Sequence, residues 1–275
     1  MTRGRKVTLL IAVPLLLYAA ICAAVFFLQT SLLFPVSQVG PAGPLPPGAA
    51  RVQLEAASGE RLIGLHIPPR PGAGQGEAPV ILGFGGNAWN AEAMAAYLHD
   101  LYPEADVVAF HYRGYPPSEG SPSAAALRED AVILFDWAAR RFPDRKRLAV
   151  GFSIGSGVAA SLAAQRPLDG AILVTPFDSL AAAAADNYPW LPVRLLFRHE
   201  LPAAADLRGN RVPVAILSGE RDTLILPARS DALRQAAPNL AFSRVIANAG
   251  HNDIYQREEF RAAMQEALDT LLRRR

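Results

Sequence analysis

The sequence predicts an α/β domain, built on a mostly parallel, doubly wound sheet with helices on both faces, behind one N-terminal transmembrane helix. An uncharged apolar run lies near the N-terminus, and after residue 80 short apolar runs alternate with longer helix-like stretches. Such short runs are typical of strands buried in a parallel sheet, and the alternation predicts right-handed strand–helix–strand crossovers. A chain of 275 residues with 51% hydrophobic content suffices for one large domain of this class.

The apolar run predicts a membrane anchor. Residues 7–28 are almost continuously apolar and would form a helix about 33 Å long, which is enough to cross a bilayer. A cleaved secretory signal is the alternative, but its apolar core is normally about 7–15 residues long and ends at small residues followed by polar sequence. Here the small residues are followed by Val25-Phe26-Phe27-Leu28. We therefore interpret the run as an uncleaved anchor.

The charges beside this helix predict its orientation. Arg3, Arg5 and Lys6 precede it, whereas no Lys or Arg follows it until Arg51. This bias predicts a cytoplasmic tail (residues 1–6) and an exoplasmic domain, periplasmic in a Gram-negative bacterium. The chain has 27 Lys and Arg against 25 Asp and Glu, and three of the basic residues lie in the tail. The domain is therefore nearly neutral, which argues against a nucleic-acid partner.

A segment rich in Pro and Gly separates the anchor from the domain. We interpret residues 29–50 as a stalk and residues 51–275 as the folded domain, because Pro and Gly interrupt regular structure between residues 40 and 50. Cys22, inside the apolar run, is the only cysteine. An intramolecular disulfide and a thiol-based metal site are thereby excluded, and no metal or cofactor is predicted.

The domain itself begins with a predicted hairpin and a loop over residues 68–79, after which predicted strands and helices alternate. The predicted strands are Val52–Glu55, Arg61–Ile67, Val80–Phe84, Val107–Tyr112, Leu148–Phe152, Ala171–Thr175, Val212–Ser218 and Phe242–Ile246. The predicted helices are Asn90–Leu101, Ala124–Arg141, Ile154–Arg166, Pro227–Ala237 and Tyr255–Leu272. Residues 177–205 predict a small helical flap, whose apolar side chains either line an acyl-chain groove or pack onto the sheet.

A G-x-S-x-G sequence marks the end of one predicted strand. In Gly151-Phe152-Ser153-Ile154-Gly155, the apolar strand precedes the serine and an Ala-rich helix follows it. A sharp strand-to-helix turn leaves little room on either side of its apex, so glycines flanking the serine let it stand strained and exposed. Ser153 is therefore a candidate nucleophile.

Two other loops supply an acid and a base. Asp222 follows the strand that ends at Ser218, and His251 follows the strand that ends at Ile246. The carboxyl ends of parallel strands share one edge of the sheet, so these side chains are predicted to meet Ser153 there. Asp178, after another strand, is a rival acid. Of the five histidines only His251 follows the last strand.

The order Ser153, Asp222, His251 is that of the α/β-hydrolases. Further matches are Phe84-Gly85-Gly86-Asn87, Tyr112-Arg113-Gly114-Tyr115 with Ser118-Glu119-Gly120 and Pro122-Ser123, and Gly250-His251-Asn252-Asp253. From about Leu32 onward the chain resembles the membrane-anchored α/β-hydrolase-domain serine hydrolases, which include lysophospholipases and protein depalmitoylases. The resemblance implies the α/β-hydrolase fold and hydrolysis of carboxylic esters or thioesters of acyl or lipid-like substrates, through an acyl-enzyme.

That mechanism needs an oxyanion hole made of two backbone N–H groups. The resemblance implies one from Ile154, the residue after the nucleophile, and one from the loop after the first parallel strand. For the second donor Gly86 is the best match, with Gly85 and Asn87 as alternatives. Many relatives have His-Gly where this chain has Phe84-Gly85. Arg113 is expected to have a structural role, with bonds to loop carbonyls.

Two other functions are compatible with parts of the sequence. Gly83 to Ala88 fits G-x-G-x-x-A after a strand, as in dinucleotide-binding proteins, but the acidic residue at the expected distance, Asp106, begins the next strand rather than ending it. A non-catalytic α/β-hydrolase serving as a membrane-tethered binding module is the other alternative. The presence of all three candidate triad residues favours the enzyme.

Overall fold

The structure, a computed structural model, describes residues 3–73 and 78–273 and contains one eight-stranded sheet flanked by helices. The strands are β1 (Ala50–Glu55), β2 (Arg61–Ile67), β3 (Val80–Phe84), β4 (Asp106–Phe110), β5 (Arg147–Phe152), β6 (Gly170–Val174), β7 (Val214–Gly219) and β8 (Leu240–Ile246). The helices are α1 (Arg3–Leu33), α2 (Ala91–Leu101), α3 (Ala124–Arg141), α4 (Ile154–Gln165), α5 (Leu180–Asn187), α6 (Val193–Leu196), α7 (Ala203–Leu207), α8 (Pro227–Ala236) and α9 (Glu258–Arg273).

The strands are arranged in the order β1-β2-β4-β3-β5-β6-β7-β8. Strands β4, β3, β5, β6, β7 and β8 are parallel to one another, and the predicted hairpin of β1 and β2 pairs antiparallel with the edge of β4. The predicted mostly parallel sheet is thus confirmed. The loops that follow the parallel strands lie at one edge, where ligand sites of such sheets are found.

The two faces of the sheet are covered by different helices, as the alternation along β5 shows. Leu148, Val150 and Phe152 are fully buried with residues of α2 and α9, whereas Ala149 is fully buried with residues of α3 and α4. Successive side chains of a strand point to opposite faces. Because both faces are covered, the strand is a continuous apolar run rather than an alternating one.

Some boundaries differ from the predicted ones. The strand predicted to end at Tyr112 ends at Phe110, because the chain leaves the sheet towards a turn at Gly114, whose φ is +81°. The strand predicted from Val212 begins at Val214, after Pro213, which has no N–H to donate to a ladder. The helix predicted from Tyr255 begins at Glu258, because Ile254–Gln256 forms a separate 3₁₀ turn.

The N-terminal helix is longer than the predicted anchor. α1 contains all of residues 7–28 and continues to Leu33, so its last turn occupies the beginning of the predicted stalk 29–50. The stretch Leu10–Gln38 contains an 18-residue window with a mean hydropathy of 2.6 and is long and apolar enough to be a candidate transmembrane span. Most of the side chains of α1 between Leu10 and Leu28 are exposed, as a lipid-facing helix requires.

The segment after α1 lies against the domain. Phe34 is only 2% exposed and belongs to the same core cluster as Tyr115 and the helices α3 and α4. Farther along, the Asn90 side chain donates a hydrogen bond to the carbonyl of Gly40 at 3.0 Å. The end of α1 is therefore held on the domain rather than separated from it by a free stalk.

Parts of three predicted segments lie outside the described residues. They are residues 1–2 of the tail, 74–77 of the loop 68–79 and 274–275 at the end of the domain.

Candidate active site

Ser153 stands at a strained turn between β5 and α4. Its φ is +52° and its ψ is −119°, a combination that non-glycine residues rarely adopt. At Gly151 and Gly155, two positions before and after Ser153, the backbone approaches other backbone atoms too closely for a side chain. A Cβ on Gly151 would lie 2.2 Å from the carbonyl oxygen of Gly155, and a Cβ on Gly155 would lie 2.2 Å from that of Phe84. The G-x-S-x-G spacing therefore produces the turn that the sequence predicts.

The structure brings Ser153, His251 and Asp222 together in one hydrogen-bonded chain. The Oγ of Ser153 lies 3.0 Å from Nε2 of His251, and Nδ1 of His251 lies 2.7 Å from Oδ2 of Asp222. His251 is 8% exposed and Asp222 3%. These are the distances and the burial that a nucleophile, a general base and an orienting acid require.

The loop after β7 holds the carboxylate of Asp222 in place. Its second oxygen, Oδ1, accepts hydrogen bonds from the backbone N–H groups of Leu224 at 2.9 Å and Ile225 at 2.8 Å. The rival acid Asp178 lies elsewhere, with both carboxylate oxygens 3.4 Å from the guanidinium of Arg229. Asp222 is therefore the acid that contacts His251.

The two residues predicted to supply the oxyanion donors both lie close to Ser153. Ile154 is the first residue of α4, so its N–H has no carbonyl four residues earlier to bond within the helix. Gly86 approaches from the loop after β3, and a Cβ built on it would lie 3.8 Å from the Cβ of Ser153. A Cβ on Gly85 would instead meet Trp89 and Met94. This proximity favours Gly86 over Gly85.

Two tyrosines fasten the loop that contains Gly86, a role that the sequence did not indicate. The hydroxyl of Tyr112 donates to the carbonyl of Gly85 at 2.8 Å, and that of Tyr115 donates to the carbonyl of Asn87 at 2.7 Å. Arg113 was expected to bond loop carbonyls, but its guanidinium pairs with the carboxylate of Asp130 instead. The phenols therefore perform the bonding expected of the arginine.

Aromatic rings pack behind the elbow. Trp89, Phe152 and Tyr255 lie with ring centroids 5.1–5.8 Å apart, and Tyr97 contacts Trp89 at 5.4 Å. Burial raises the pKa of Tyr255 to about 12, so its phenol stays neutral at physiological pH. This layer gives the turn at Ser153 a rigid support.

A mostly apolar pocket of about 440 Å³ opens beside Ser153, within the range of small-molecule sites. Besides Asn87, Ser153 and Ile154, three parts of the chain form its walls: α1, the flap and the loop after β7. The lining residues include Val25, Gln29, Leu32 and Leu33 of α1, Phe177, Leu180, Ala183, Ala184, Tyr188, Trp190 and Leu196 of the flap, and Leu224 and Ile225 of the loop. The contribution of α1 was not predicted from the sequence, because an apolar helix that faces lipid and one that faces a pocket have the same composition.

The flap satisfies both interpretations that the sequence allowed. Phe177, Leu180 and Ala183 are buried in the core beneath the sheet edge and also line the pocket. Trp190 and Leu191 line the pocket farther from the core, with the side chain of Trp190 55% exposed. One short helical segment thus packs onto the domain at its base and borders the pocket along its length.

Asp106, the acidic residue that a dinucleotide site would need, lies far from this edge. In the register of the sheet it pairs with Val80, the first residue of β3, whereas Ser153 follows the last residue of β5. Its carboxylate forms an ion pair with Arg145 and a hydrogen bond with the imidazole of His66. It is therefore at the amino ends of the strands, where it cannot contact a ligand bound at their carboxyl ends.

Comparison with known proteins identifies the fold independently. A family model described as the alpha/beta hydrolase fold matches residues 80–212. An uncharacterized protein of Mycobacterium tuberculosis is 34% identical over 223 residues, which are 77% of this chain and 78% of that protein. An esterase of Pyrococcus furiosus superimposes with a TM-score of 0.66 at 18% identity, over 85% of this chain and 97% of the esterase.

A shorter similarity extends to a named lipase. The lysophosphatidylserine lipase ABHD12 of Danio rerio is 31% identical over 137 residues. These are 43% of this chain and 36% of the lipase, so the match covers about a third of that protein's length.

Proposed function

The chain belongs to the α/β-hydrolase family, and on that premise we propose that it is a serine hydrolase that cleaves carboxylic esters or thioesters of acyl substrates. The observation that carries the proposal is the hydrogen-bonded chain from Ser153 through His251 to Asp222, with distances of 3.0 and 2.7 Å. The esterase and lipase among the similar proteins support the same class of reaction.

The proposal gives each residue of this hydrogen-bonded chain a role, which the distances support. Asp222 accepts a hydrogen bond from the Nδ1–H of His251, which leaves Nε2 free to take the proton of the Ser153 hydroxyl as its oxygen attacks the acyl carbonyl. The carboxylate then stabilises the imidazolium. His251 returns the proton to the departing alcohol or thiol, and a water molecule activated by the same imidazole releases the acyl group from Ser153.

Two backbone N–H groups stabilise the negative charge that develops on the carbonyl oxygen. Ile154 supplies one and Gly86 the other, because both lie beside Ser153 and belong to segments fixed by the elbow and by the tyrosine bonds. Removal of one such donor typically costs about 2.7–4 kcal/mol of transition-state stabilisation. A backbone donor survives most side-chain substitutions, so the hole needs no particular residue type at Ile154.

The pocket favours acyl chains as the group bound next to the serine. Its lining is predominantly Leu, Val, Ala and aromatic side chains. Apolar chains bind such a surface through the area they remove from water. Together with the candidate membrane helix, this supports a lipid-like substrate.

A fluorophosphonate probe tests the proposed nucleophile. We expect the full chain to be labelled, and Ser153→Ala to abolish labelling while the fold is retained. Ser156→Ala is the matched control, because Ser156 is fully buried three residues along the same elbow. Labelling of Ser153→Ala, or no labelling of the folded native chain, would contradict the proposal and favour a non-catalytic binding module.

A series of esters with increasing acyl length tests the substrate class. We expect kcat/KM to rise with chain length as methylenes enter the apolar pocket, by up to about 0.8 kcal/mol for each one buried. A preference confined to acetyl esters would contradict the lipid-like substrate.

We also propose that α1 crosses the membrane with its basic end in the cytoplasm and the domain on the opposite side. The charge bias of Arg3, Arg5 and Lys6 supports this orientation. With Cys22 replaced by Ala, a cysteine introduced at Ala57, in the exposed turn between β1 and β2, should react with an impermeant maleimide in intact spheroplasts. A cysteine introduced at Thr2 should react only after the membrane is opened, and the reverse pattern would overturn the orientation.

A further inference from the structure

The flap is bonded to α1 along much of the helix. The hydroxyl of Tyr18 donates to the carbonyl of Trp190 at 2.9 Å, and the Gln29 side chain donates to the carbonyl of Leu196 at 3.0 Å. The backbone N–H of Arg198 in turn donates to the side-chain oxygen Oε1 of Gln29 at 2.8 Å. Later flap residues therefore contact later residues of α1, and the flap runs beside the helix in the same direction.

Arg198 contacts α1 at Phe26, nearer to the C-terminal end of the helix than Tyr18. Its guanidinium lies 4.5 Å from the ring centroid of Phe26 and donates to the carbonyl of Phe26 at 3.0 Å. One residue later, His199 Nε2 lies 2.8 Å from the hydroxyl of Thr30. The position of each flap residue along the membrane normal is thus fixed by the residue of α1 that it contacts.

This register places Trp190 deep in the bilayer. If the uncharged helix enters the hydrocarbon at Val7, a core of about 30 Å is crossed after about 20 residues, near Phe26. Tyr18 lies eight residues before Phe26, about 12 Å nearer the bilayer centre. If Tyr18 instead marked the far boundary, only about 18 Å of helix would remain from Val7 to cross the same core. The contact between Tyr18 and Trp190 therefore lies within the hydrocarbon.

The surface of the flap fits that location. Residues 188–197, here called the flap tip, contain one charged residue, Arg194. The exposed fractions are 53% for Tyr188, 55% for Trp190 and 82% for Leu195. Such a concentration of exposed apolar surface is unusual on a soluble face. The long side chain of Arg194 can extend to the phosphate level while its aliphatic part stays in lipid.

We propose that the flap tip is inserted in the hydrocarbon of the leaflet on the domain's side, and that the pocket receives its acyl chain directly from that leaflet. The pocket is bordered by Val25 and Leu32 of α1 on one side and by Trp190 and Leu196 on the other. A chain moving between them reaches Ser153 without crossing water. The insertion rests on the proposed membrane crossing of α1, and the entry of the acyl chain rests in addition on the proposed function.

Quenching by brominated phospholipids tests the insertion without reference to catalysis. The full chain is reconstituted in phosphatidylcholine vesicles whose acyl chains carry bromine near their middle. We expect strong quenching of tryptophan fluorescence, lost in Trp190→Phe and retained in Trp137→Phe, since Trp137 packs against Phe142 on the domain. The same pattern is expected in Ser153→Ala. Equal quenching of the native chain and Trp190→Phe would overturn the insertion, whatever the enzyme does.

A charge on the flap tip tests the entry route. Leu195 is highly exposed and is not among the residues that line the pocket. Leu195→Asp should lower hydrolysis of an acyl lipid in vesicles by about tenfold or more, because a carboxylate in the hydrocarbon is costly, while hydrolysis of a water-soluble short ester is unchanged. Val245→Asp, a matched control at an exposed residue of β8, should lower neither rate.

The outcomes separate the two proposals. Equal vesicle rates for Leu195→Asp and the native chain would overturn the entry from the leaflet. A native chain that hydrolyses neither substrate would contradict the proposed function and the entry, and the quenching pattern would still decide the insertion.

Discussion

At Ser153, the proposed nucleophile, the backbone is strained. Its positive φ places it at the apex of the elbow, and its N–H is bonded to the carbonyl of Val174 at 2.9 Å, which ties the apex to the neighbouring strand. Strain of this kind persists only where surrounding contacts enforce it. The enforcing contacts are the close approaches at Gly151 and Gly155, so the glycines are as necessary to the site as the serine.

Substitution of Gly155 tests the close backbone contact at the elbow. Gly155→Ala would place a Cβ against the carbonyl oxygens of Phe84 and Gly85, at 2.2 and 2.6 Å, and backbone atoms cannot move aside easily. We expect a loss of about 1–3 kcal/mol or more in the free energy of unfolding and a Tm lower by several degrees in calorimetry. Gly43→Ala is the control, since no atom lies within 4 Å of its added Cβ. Equal Tm values for the two variants would contradict the close contact.

Substitution of Asp222 tests its proposed role as the acid of the triad. Asp222→Asn should lower kcat for an ester substrate by about 10⁴-fold, because the amide no longer holds the Nδ1-protonated tautomer of His251 or stabilises its charge. Asp178→Asn changes the same functional group on the rival acid, 3.4 Å from Arg229, and should leave kcat nearly unchanged. Comparable losses in both variants would show that Asp222 does not act through His251.

At the scale of elements, α5 contributes small side chains to the wall of the pocket. Its alanines Ala183 and Ala184 line the cavity, and small side chains there leave the volume that an acyl chain would occupy. The helix begins at a cap in which the Ser179 hydroxyl accepts the N–H of Ala182 at 3.4 Å. The alanine run is thus a packing surface of a short helix, which explains a composition that the sequence alone left open.

A larger side chain on this surface should shorten the accepted acyl chain. Ala184→Phe is expected to reduce kcat/KM for long acyl esters by about tenfold or more while short esters are still cleaved, since each lost buried methylene is worth about 0.8 kcal/mol and the ring would displace about two or more. Ala185→Phe is the matched control, because Ala185 is its neighbour on the helix and is not part of the lining. The measurement is a chain-length series on both variants, and parallel profiles would contradict the role of Ala184.

At the scale of the whole molecule, buried histidines couple stability to pH. Burial lowers the pKa of His99, His111 and His199. His199 joins three elements, since it contacts Thr30 of α1, accepts from the N–H of Ala124 in α3 at 3.5 Å and packs edge-on against Phe34. Its neutral form therefore helps to hold α1 on the domain.

The lowered pKa values of these histidines determine how the stability of the fold changes with pH. Unfolding returns each imidazole to an ordinary pKa near 6.5, so the unfolded chain binds more protons at mildly acidic pH. Stability is fully present above about pH 6.5 and falls as pH decreases towards the folded-state pKa values. Calorimetry of the full chain should show a lower Tm at pH 5.5 than at pH 7.5. The decrease should be smaller in His199→Gln, and an identical decrease would exclude a contribution from this histidine.

The parts that could be predicted from the sequence are those with local causes. The apolar runs predicted the parallel strands because a strand buried on both faces shows its burial in consecutive residues, as in β5. The elbow was predicted because two glycines two positions from a serine meet a steric requirement within five residues. The uncharged run of residues 7–28 predicted a helix there for the same reason, although α1 continues to Leu33.

What only the tertiary structure decided depends on residues far apart in the chain. From the sequence, Asp222 and Asp178 were both candidate acids. In the structure Asp222 contacts His251, whereas Asp178 pairs with Arg229. Likewise α1 could be identified as apolar but not as a wall of the pocket. That role depends on contacts such as Tyr18 with Trp190, 172 residues later, which exist only because the sheet order and the path of the flap bring both segments to one edge.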